Sequence, residues 1–257
     1  MRAWLAFVVL AACGSSKAAP EPRPACEPLP FAKSIPLPEA SGAALIEEGL
    51  IVVADSGNHG AYVIVDPDTG DVRARGNLPL PDHISDDLEG LSSPDGKTLT
   101  GLTSDGTLLH WTHLALDRTS RITDDRKLDF EGLCLDPHPK AGACEGFAAS
   151  KTDGRLYCLR NGTIDPTHTI EITRPDSLAD CGFDPTGTIL LAGGNVFTAD
   201  QVWRVDPATG KTEELAKLGP GNGEVVVAAP DNVVYRFSDL NTAPSLAGKF
   251  RCPPGAR

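Results

Sequence analysis

Five short segments of this 257-residue chain repeat one pattern: an acidic or polar residue, a small residue, an apolar run and a turn. They are Glu39-Ala-Ser41-Gly-Ala-Ala-Leu45, Asp87-Leu-Glu89-Gly-Leu-Ser-Ser-Pro94, Asp129-Phe-Glu131-Gly-Leu-Cys-Leu-Asp-Pro137, Leu178-Ala-Asp180-Cys-Gly-Phe-Asp-Pro185 and Asn222-Gly-Glu224-Val-Val-Val227. Aligned on their third residues they fall at 41, 89, 131, 180 and 224, with spacings of 48, 42, 49 and 44. Periods of that size, each long enough for about four short strands, are the mark of propeller blades. Between the segments lie β-rich runs such as Leu50 to Ala54 and Tyr62 to Val65. Tight turns such as Asp66-Pro-Asp-Thr-Gly70 and Asp206-Pro-Ala-Thr-Gly210 separate them. No window between turns carries a clean helical period, so little helix is expected. The expected fold is all-β, a β-propeller of about five blades, rather than a β-sandwich, which leaves the period unexplained. The stretch from position 224 to Cys252 and that from Cys26 to position 41 together make one more blade length. The last blade is therefore expected to be split, with Phe31 to Leu37 completing a sheet begun by Glu224 to Phe250.

The N-terminus reads differently. Arg2 precedes the apolar run Ala3 to Ala12, which is half the length needed to span a bilayer and suits a signal-peptide core. Leu10-Ala-Ala-Cys13 resembles a lipobox, which implies cleavage before Cys13 and a diacylglycerol on its sulfur. Residues 14–30 are rich in Pro, Ala and Ser and read as an extended tether. The expected organisation is signal peptide 1–12, lipidated tether 13–30 and propeller domain 31–257. The membrane is reached through the lipid, and Gly14 after the acylated cysteine fits sorting to the outer membrane, facing periplasm or exterior.

Export agrees with the cysteines. Setting Cys13 aside leaves Cys26, Cys134, Cys144, Cys158, Cys181 and Cys252, an even set that in an oxidising compartment reads as disulfides. Of 15 connectivities, the preferred one is Cys26–Cys252 across the two ends of the domain, with Cys134–Cys144 and Cys158–Cys181 as sequence neighbours. No CxxC pair or zinc spacing is present. A formal charge of −12, from 35 acidic against 23 basic residues, argues against nucleic acid as a partner.

Glu39-Ala-Ser-Gly42, Val53-Ala-Asp-Ser-Gly-Asn58, Asp87-Leu-Glu-Gly-Leu91 and Asp129-Phe-Glu-Gly-Leu133 occur in an order that resembles the SdiA-regulated and esterase-like-phytase group of propellers. The resemblance covers roughly residues 37–137 and implies five or six blades, of which the spacing favours five. The run Ala54 to His59 also resembles an NHL repeat, another propeller unit, though Gly60 stands where that repeat carries Arg.

In a strand, residues i and i+2 face one side, so Asp87 pairs with Glu89, Asp129 with Glu131, and Glu39 with Ser41. With Asp180 and Glu224 these residues are expected to gather at one mouth of a central channel. Crowded carboxylates raise one another's pKa, and a hard cation such as Ca²⁺ relieves the repulsion through oxygen ligands. The same acids could instead cap strand ends or pair with Arg121, Arg126 or Arg174. Asp55, Ser56 and Asn58 read chiefly as turn residues. Neither a nucleotide loop followed by a helix nor a G-x-S-x-G elbow is present. Two functions stay open. One is an envelope protein binding a cation, a small molecule or a partner protein on the propeller face. The other is a metal-dependent phosphoester or ester hydrolase, as the phytase-like resemblance implies.

Overall fold

A computed structural model of the chain describes residues 26–122, 127–172, 178–184, 186–193, 201–219, 223–238 and 244–254. The candidate lipobox and Arg126 and Arg174 lie outside these residues. The described chain is all-β in a propeller arrangement, its only helical element being a 3-10 turn at Pro230–Asn232.

Each sheet begins with an inner strand and steps outward through hairpins. Before the first complete sheet come β1 (Glu27–Leu29) and β2 (Ser34–Ile35). The next sheets contain β3 (Ala40–Ile46), β4 (Gly49–Ala54), β5 (Ala61–Val65) and β6 (Val72–Asn77), then β7 (Leu88–Ser92), β8 (Thr98–Thr103), β9 (Thr107–Thr112) and β10 (Ala115–Arg121). They are followed by β11 (Phe130–Leu135), β12 (Gly146–Ser150), β13 (Arg155–Arg160) and β14 (Thr163–Glu171), then β15 (Leu178–Phe183), β16 (Ile189–Gly193), β17 (Gln201–Val205) and β18 (Thr212–Lys217). These are four antiparallel four-stranded sheets. A further sheet runs β19 (Gly223–Ala229), β20 (Val233–Ser238), β21 (Ser245–Arg251), with β1 and β2 both pairing on the outer side of β21.

Asp side chains shape the hairpins. The Asp66 carboxylate accepts the N–H groups of Asp68 and Thr69 at 2.7 and 3.0 Å, and Asp206 accepts Ala208 N–H at 2.9 Å. These are the side-chain-to-backbone bonds that make Asp a turn former. The sheets stack through separate apolar layers. Leu50, Val52 and Ala54 face Val225, Val227 and Tyr235, whereas Ile51 and Val53 on the same strand face Leu91, Leu99 and Trp111. Two buried faces explain why Leu50 to Ala54 is a continuous apolar run rather than an alternating one. Further layers join Leu102 and Leu108 to Phe130 and Tyr157, Cys134 and Phe147 to Cys181 and Trp203, and Val202 to Val226 and Val234.

The inner strands form the wall of the channel, each of β3, β7, β11, β15 and β19 lying against the next, and β19 against β3. All five carry the same distortion, a register shift between Ala40 and Gly42, Leu88 and Gly90, Phe130 and Gly132, Leu178 and Asp180, and Gly223 and Val225. Such a bulge leaves one residue unpaired and re-aims its side chain. The bulged residues are Ser41, Glu89, Glu131, Ala179 and Glu224. In β3, β7 and β11 a glycine follows the bulge and permits close approach of the neighbouring strand. A Cβ on Gly90 would stand 2.4 Å from the Leu133 nitrogen, and one on Gly132 would stand 2.7 Å from the Cys181 nitrogen.

Three sequence expectations are corrected. The repeat in β15 is in register through Ala179, one residue before Asp180. β1 lies inside residues 13–30, the segment assigned to the tether. The disulfides are Cys26–Cys252, as expected, but Cys134–Cys181 and Cys144–Cys158. Cys134 and Cys181 lie on neighbouring inner strands, whereas Cys144 in the loop before β12 lies beside β13. Blade-to-blade packing, not sequence distance, selects the partners.

Candidate functional site

Three of the bulges point an acid into the end of the channel where the inner strands begin. Asp87 precedes β7 and Glu89 sits at its bulge. Asp55 follows β4, and the ligand oxygens of Asp55, Asp87 and Glu89 all lie within 4.8 Å of one another. Asp87 accepts a short hydrogen bond from Ser104 Oγ, and Asp55 accepts one from the Ser56 backbone N–H. No hydrogen bond reaches the Glu89 carboxyl among the described residues. Its pKa is pushed up to about 10, first by loss of water and then by the charges of Glu131, Asp55, Asp87 and Glu224.

Glu131, 4% exposed, is matched differently. Lys151, which follows β12, places Nζ 3.0 Å from its Oε1. Burial still raises the Glu131 pKa to about 7, against the pull of the ammonium. Lys151 is correspondingly held protonated by Glu131, Glu224 and Glu89, which outweigh its own desolvation.

The remaining expected residues take other places. Glu39 stands at the entry to β3 with a left-handed φ of 46° and accepts Asn58 Nδ2 at 3.1 Å. Asn58 also bonds the carbonyls of Asp55 and Ser56, so the Asp55–Asn58 turn both closes its own loop and reaches the rim. Asp129 is exposed at the start of β11, where its charge opposes ionisation of Glu131. Glu224 is partly buried, and its charge reaches Glu89, Lys151 and Asp180. Asp180, 1% exposed, lies within the wall and accepts the N–H groups of Cys181 at 2.7 Å and Val226 at 2.8 Å. Burial drives its pKa well above the usual carboxylate range despite those bonds. Arg121 pairs with Asp105 rather than with any of these acids.

Asp55 and Lys151 were not among the expected site residues. A shared position would have revealed them. Asp55, Ser104 and Lys151 are each the first residue after the second strand of their sheets, beside the bulge of the inner strand. At the opposite end of the channel lies a cavity of about 280 Å³ lined by Ala43, Leu91, Leu133, Phe183, Val226 and other mostly apolar groups. The two ends of one channel thus differ sharply in polarity.

No protein-family model matches the sequence, and no curated protein is detectably similar to it. Solved structures are similar in shape. The PQQ-bound aldose sugar dehydrogenase of Streptomyces coelicolor matches over 90% of this chain and 100% of that one, with a TM-score of 0.55 and 13% identity. The likeness is one of fold. Hydrazine synthase of Kuenenia stuttgartiensis matches over 79% of this chain and 56% of its own, with a TM-score of 0.48 and 15% identity.

Proposed function

We propose that this protein is a lipid-anchored envelope propeller that binds a divalent cation, Ca²⁺ by its oxygen-only ligands, at the acidic mouth of its channel. The observation that carries the reading is the convergence of Asp55, Asp87 and Glu89, contributed by two sheets, on one point. Three carboxylates that close cannot all ionise without a counter-charge. Among the described residues no hydrogen bond reaches Glu89, whereas Lys151 pairs with Glu131. A cation bridging the three would replace the proton on Glu89. Glu131 and Glu224 would shape the potential around it, with Lys151 confining the site to one side of the mouth.

The ring is read as five blades, the last built from β19 to β21 and closed on its outer side by β1 and β2 in succession. A tie to the SdiA-regulated and phytase-like propellers is supported by position. The E-x-S-G, D-S-G-N and D-x-E-G motifs all stand at the same mouth. Hydrolysis of a polyanionic phosphoester finds less support. Among the described residues, Lys151 is the cation seen against these acids, and it is engaged by Glu131.

Isothermal titration of the purified domain with CaCl₂ and MgCl₂ at pH 7.5 tests the reading. One site per chain is expected, weakened at least tenfold in Glu89→Gln and Asp87→Asn. Heats indistinguishable from buffer at millimolar ion would remove the cation. Because binding displaces a proton from Glu89, affinity should rise by about tenfold per pH unit between pH 6 and 8.

A further inference from the structure

We infer that the cleft between the second and third sheets is a binding site for an uncharged polyhydroxylated molecule the size of one to three sugar rings, separate from the acidic mouth and independent of the cation. The cleft is a cavity of about 920 Å³ with β8 to β10 on one wall and the turns after β11 and β13 on the other. Small-molecule pockets of roughly 300–1,000 Å³ set a few convergent polar groups against an apolar lining. Side-chain choice opens this one. Thr100, three residues before the end of β8, stands opposite His110 of β9. The matching pair is Ile51 and Ile64 in the first sheet, and Phe147 and Cys158 in the third. Those pairs pack on the next sheet, Ile51 and Ile64 with Leu99 and Trp111, Phe147 and Cys158 with Cys181 and Trp203. In the second sheet the corresponding face starts in the same way, with Leu102 and Leu108 against Phe130 and Tyr157. Two residues further along each strand, on the same side, Thr100 and His110 replace the apolar pair, and there the cavity replaces packing.

Three polar groups form one chain across these strands. His110 Nδ1 lies 3.2 Å from the Thr100 hydroxyl, and its Nε2 lies 3.2 Å from Ser120 Oγ. Thr100 is buried, His110 half-buried and Ser120 exposed, so the chain runs from the floor of the cleft to its rim. Burial first, then the charge of Arg118, lowers the pKa of His110. The ring is therefore neutral at pH 7, with one nitrogen donating and the other accepting. Hydroxyls and a neutral imidazole both donate and accept, which matches a ligand made of hydroxyl groups. The charged groups of the cleft are already engaged. Arg121 pairs with Asp105, Asp117 accepts the Thr112 hydroxyl, Asp136 accepts His138 N–H at 2.8 Å and Glu145 accepts Gly162 N–H at 3.3 Å. Arg118 stands next to Asp117, so neither sign dominates the rim. Leu99, Leu108, Leu135 and Leu159 supply apolar surface for the C–H face of a sugar ring.

The test is saturation-transfer-difference NMR on the full chain, in a detergent without a sugar head group. The probes are D-glucose, D-galactose, N-acetyl-D-glucosamine, maltose, cellobiose and maltotriose, with D-glucuronate as the charged control. Transfer to at least one neutral sugar is expected, and weaker transfer to glucuronate. The Thr100→Ile/His110→Ile variant copies the Ile51–Ile64 pair of the first sheet. It should fill the cleft, melt no lower than the wild type and bind at least about tenfold more weakly, for want of the hydroxyl and imidazole hydrogen bonds. Ser120→Trp closes the rim from an exposed position and should lose binding in the same way, which keeps the test decisive if the core variant does not fold. No transfer to any of the neutral sugars, or transfer unchanged in Ser120→Trp, would overturn the site. Stronger transfer to glucuronate than to every neutral sugar would overturn the class of ligand.

Discussion

Replacing Glu89 with Gln isolates the electrostatics of the mouth from its packing. The two side chains are isosteric, and among the described residues no hydrogen bond of Glu89 is lost. The Glu89 carboxyl ionises near its ordinary value of 4.5 when unfolded and is pushed up to about 10 in the fold. At pH 7 folding must therefore return a proton to a group that has lost it. The cost per pH unit above 4.5 is about 1.4 kcal/mol, which gives about 3 kcal/mol at pH 7 for a carboxyl shut off from water. Glu89 keeps partial solvent contact, so a value of about 2 kcal/mol is expected. Gln is neutral in both states and carries no such cost. The sign follows: a raised folded pKa gives the wild type stability that is intact below pH 4.5 and falls as pH rises toward 10. In chelator at pH 7, Glu89→Gln should melt about 4–8 °C above the wild type, at roughly 2–4 °C per kcal/mol for a domain of this size. At pH 5 the difference should shrink to under about 1 kcal/mol. Calcium narrows the difference. At a hundredfold excess over the wild-type Kd it adds about 2.7 kcal/mol to the wild type and at most about 1.4 kcal/mol to a variant that binds tenfold more weakly. Differential scanning calorimetry at pH 5 and pH 7, with EDTA or CaCl₂, reads all four cases. A variant less stable than the wild type in EDTA at pH 7 would show that Glu89 is ionised and favourably paired, and the reasoning would fail.

Lys151→Met leaves Glu131 buried without its partner and should cost about 3 kcal/mol in urea unfolding, the loss growing from pH 5 to pH 8 as the stranded carboxyl resists ionisation; a midpoint unchanged at pH 8 would argue against the pair. Cys26→Ser with Cys252→Ser removes a cross-link enclosing 226 residues of sequence separation, worth at most about 5 kcal/mol on the chain-entropy view. Hydrogen exchange should quicken first in Glu27–Leu29 and Ser245–Arg251, and uniform exchange across the sheets would refute the assignment of this bond as the ring's clasp.

The period was legible because the repeated element is a physical one. Each inner strand carries a bulge at the same height, and in β3, β7 and β11 Ser-Gly or Glu-Gly records it: an unpaired residue followed by one with no Cβ. Ring closure was legible for a similar reason, since Cys26 and Cys252 bracket the missing part of a blade. The other two disulfides were not. Cys134 and Cys144 are ten residues apart in sequence, yet Cys134 lies on β11 and Cys144 in the loop before β12, beside Cys158 of β13. Cys134 and Cys181 are brought together only by the packing of β11 on β15. Asp55 and Lys151 were hidden because their sequence context, a strand end followed by Ser-Gly or Thr-Asp-Gly, reads as turn chemistry. That chemistry is present in the Asp55 turn, and it does not prevent the same residue from facing the channel.

Asp180 shows why an acidic repeat is not a list of ligands. Aligned by charge, it matches Glu89 and Glu131. Aligned by the bulge, its counterparts are Gly42, Gly90 and Gly132. Where those glycines let adjacent inner strands touch, Asp180 stands between β15 and β19 and joins them through its two carboxylate oxygens, one to Cys181 N–H and one to Val226 N–H. Its neighbours leave it little freedom, since a Cβ on Gly132 would meet its Cα at 2.8 Å. The acids of the mouth thus divide by what satisfies them. Backbone amides engage Asp180 inside the wall, and an ammonium engages Glu131. Glu89 is opposed by the charges of Asp55 and Asp87, with no donor to it among the described residues. Unmet demand for positive charge, rather than the number of carboxylates, is what places the proposed cation site on the side of the mouth lined by β4 and β7.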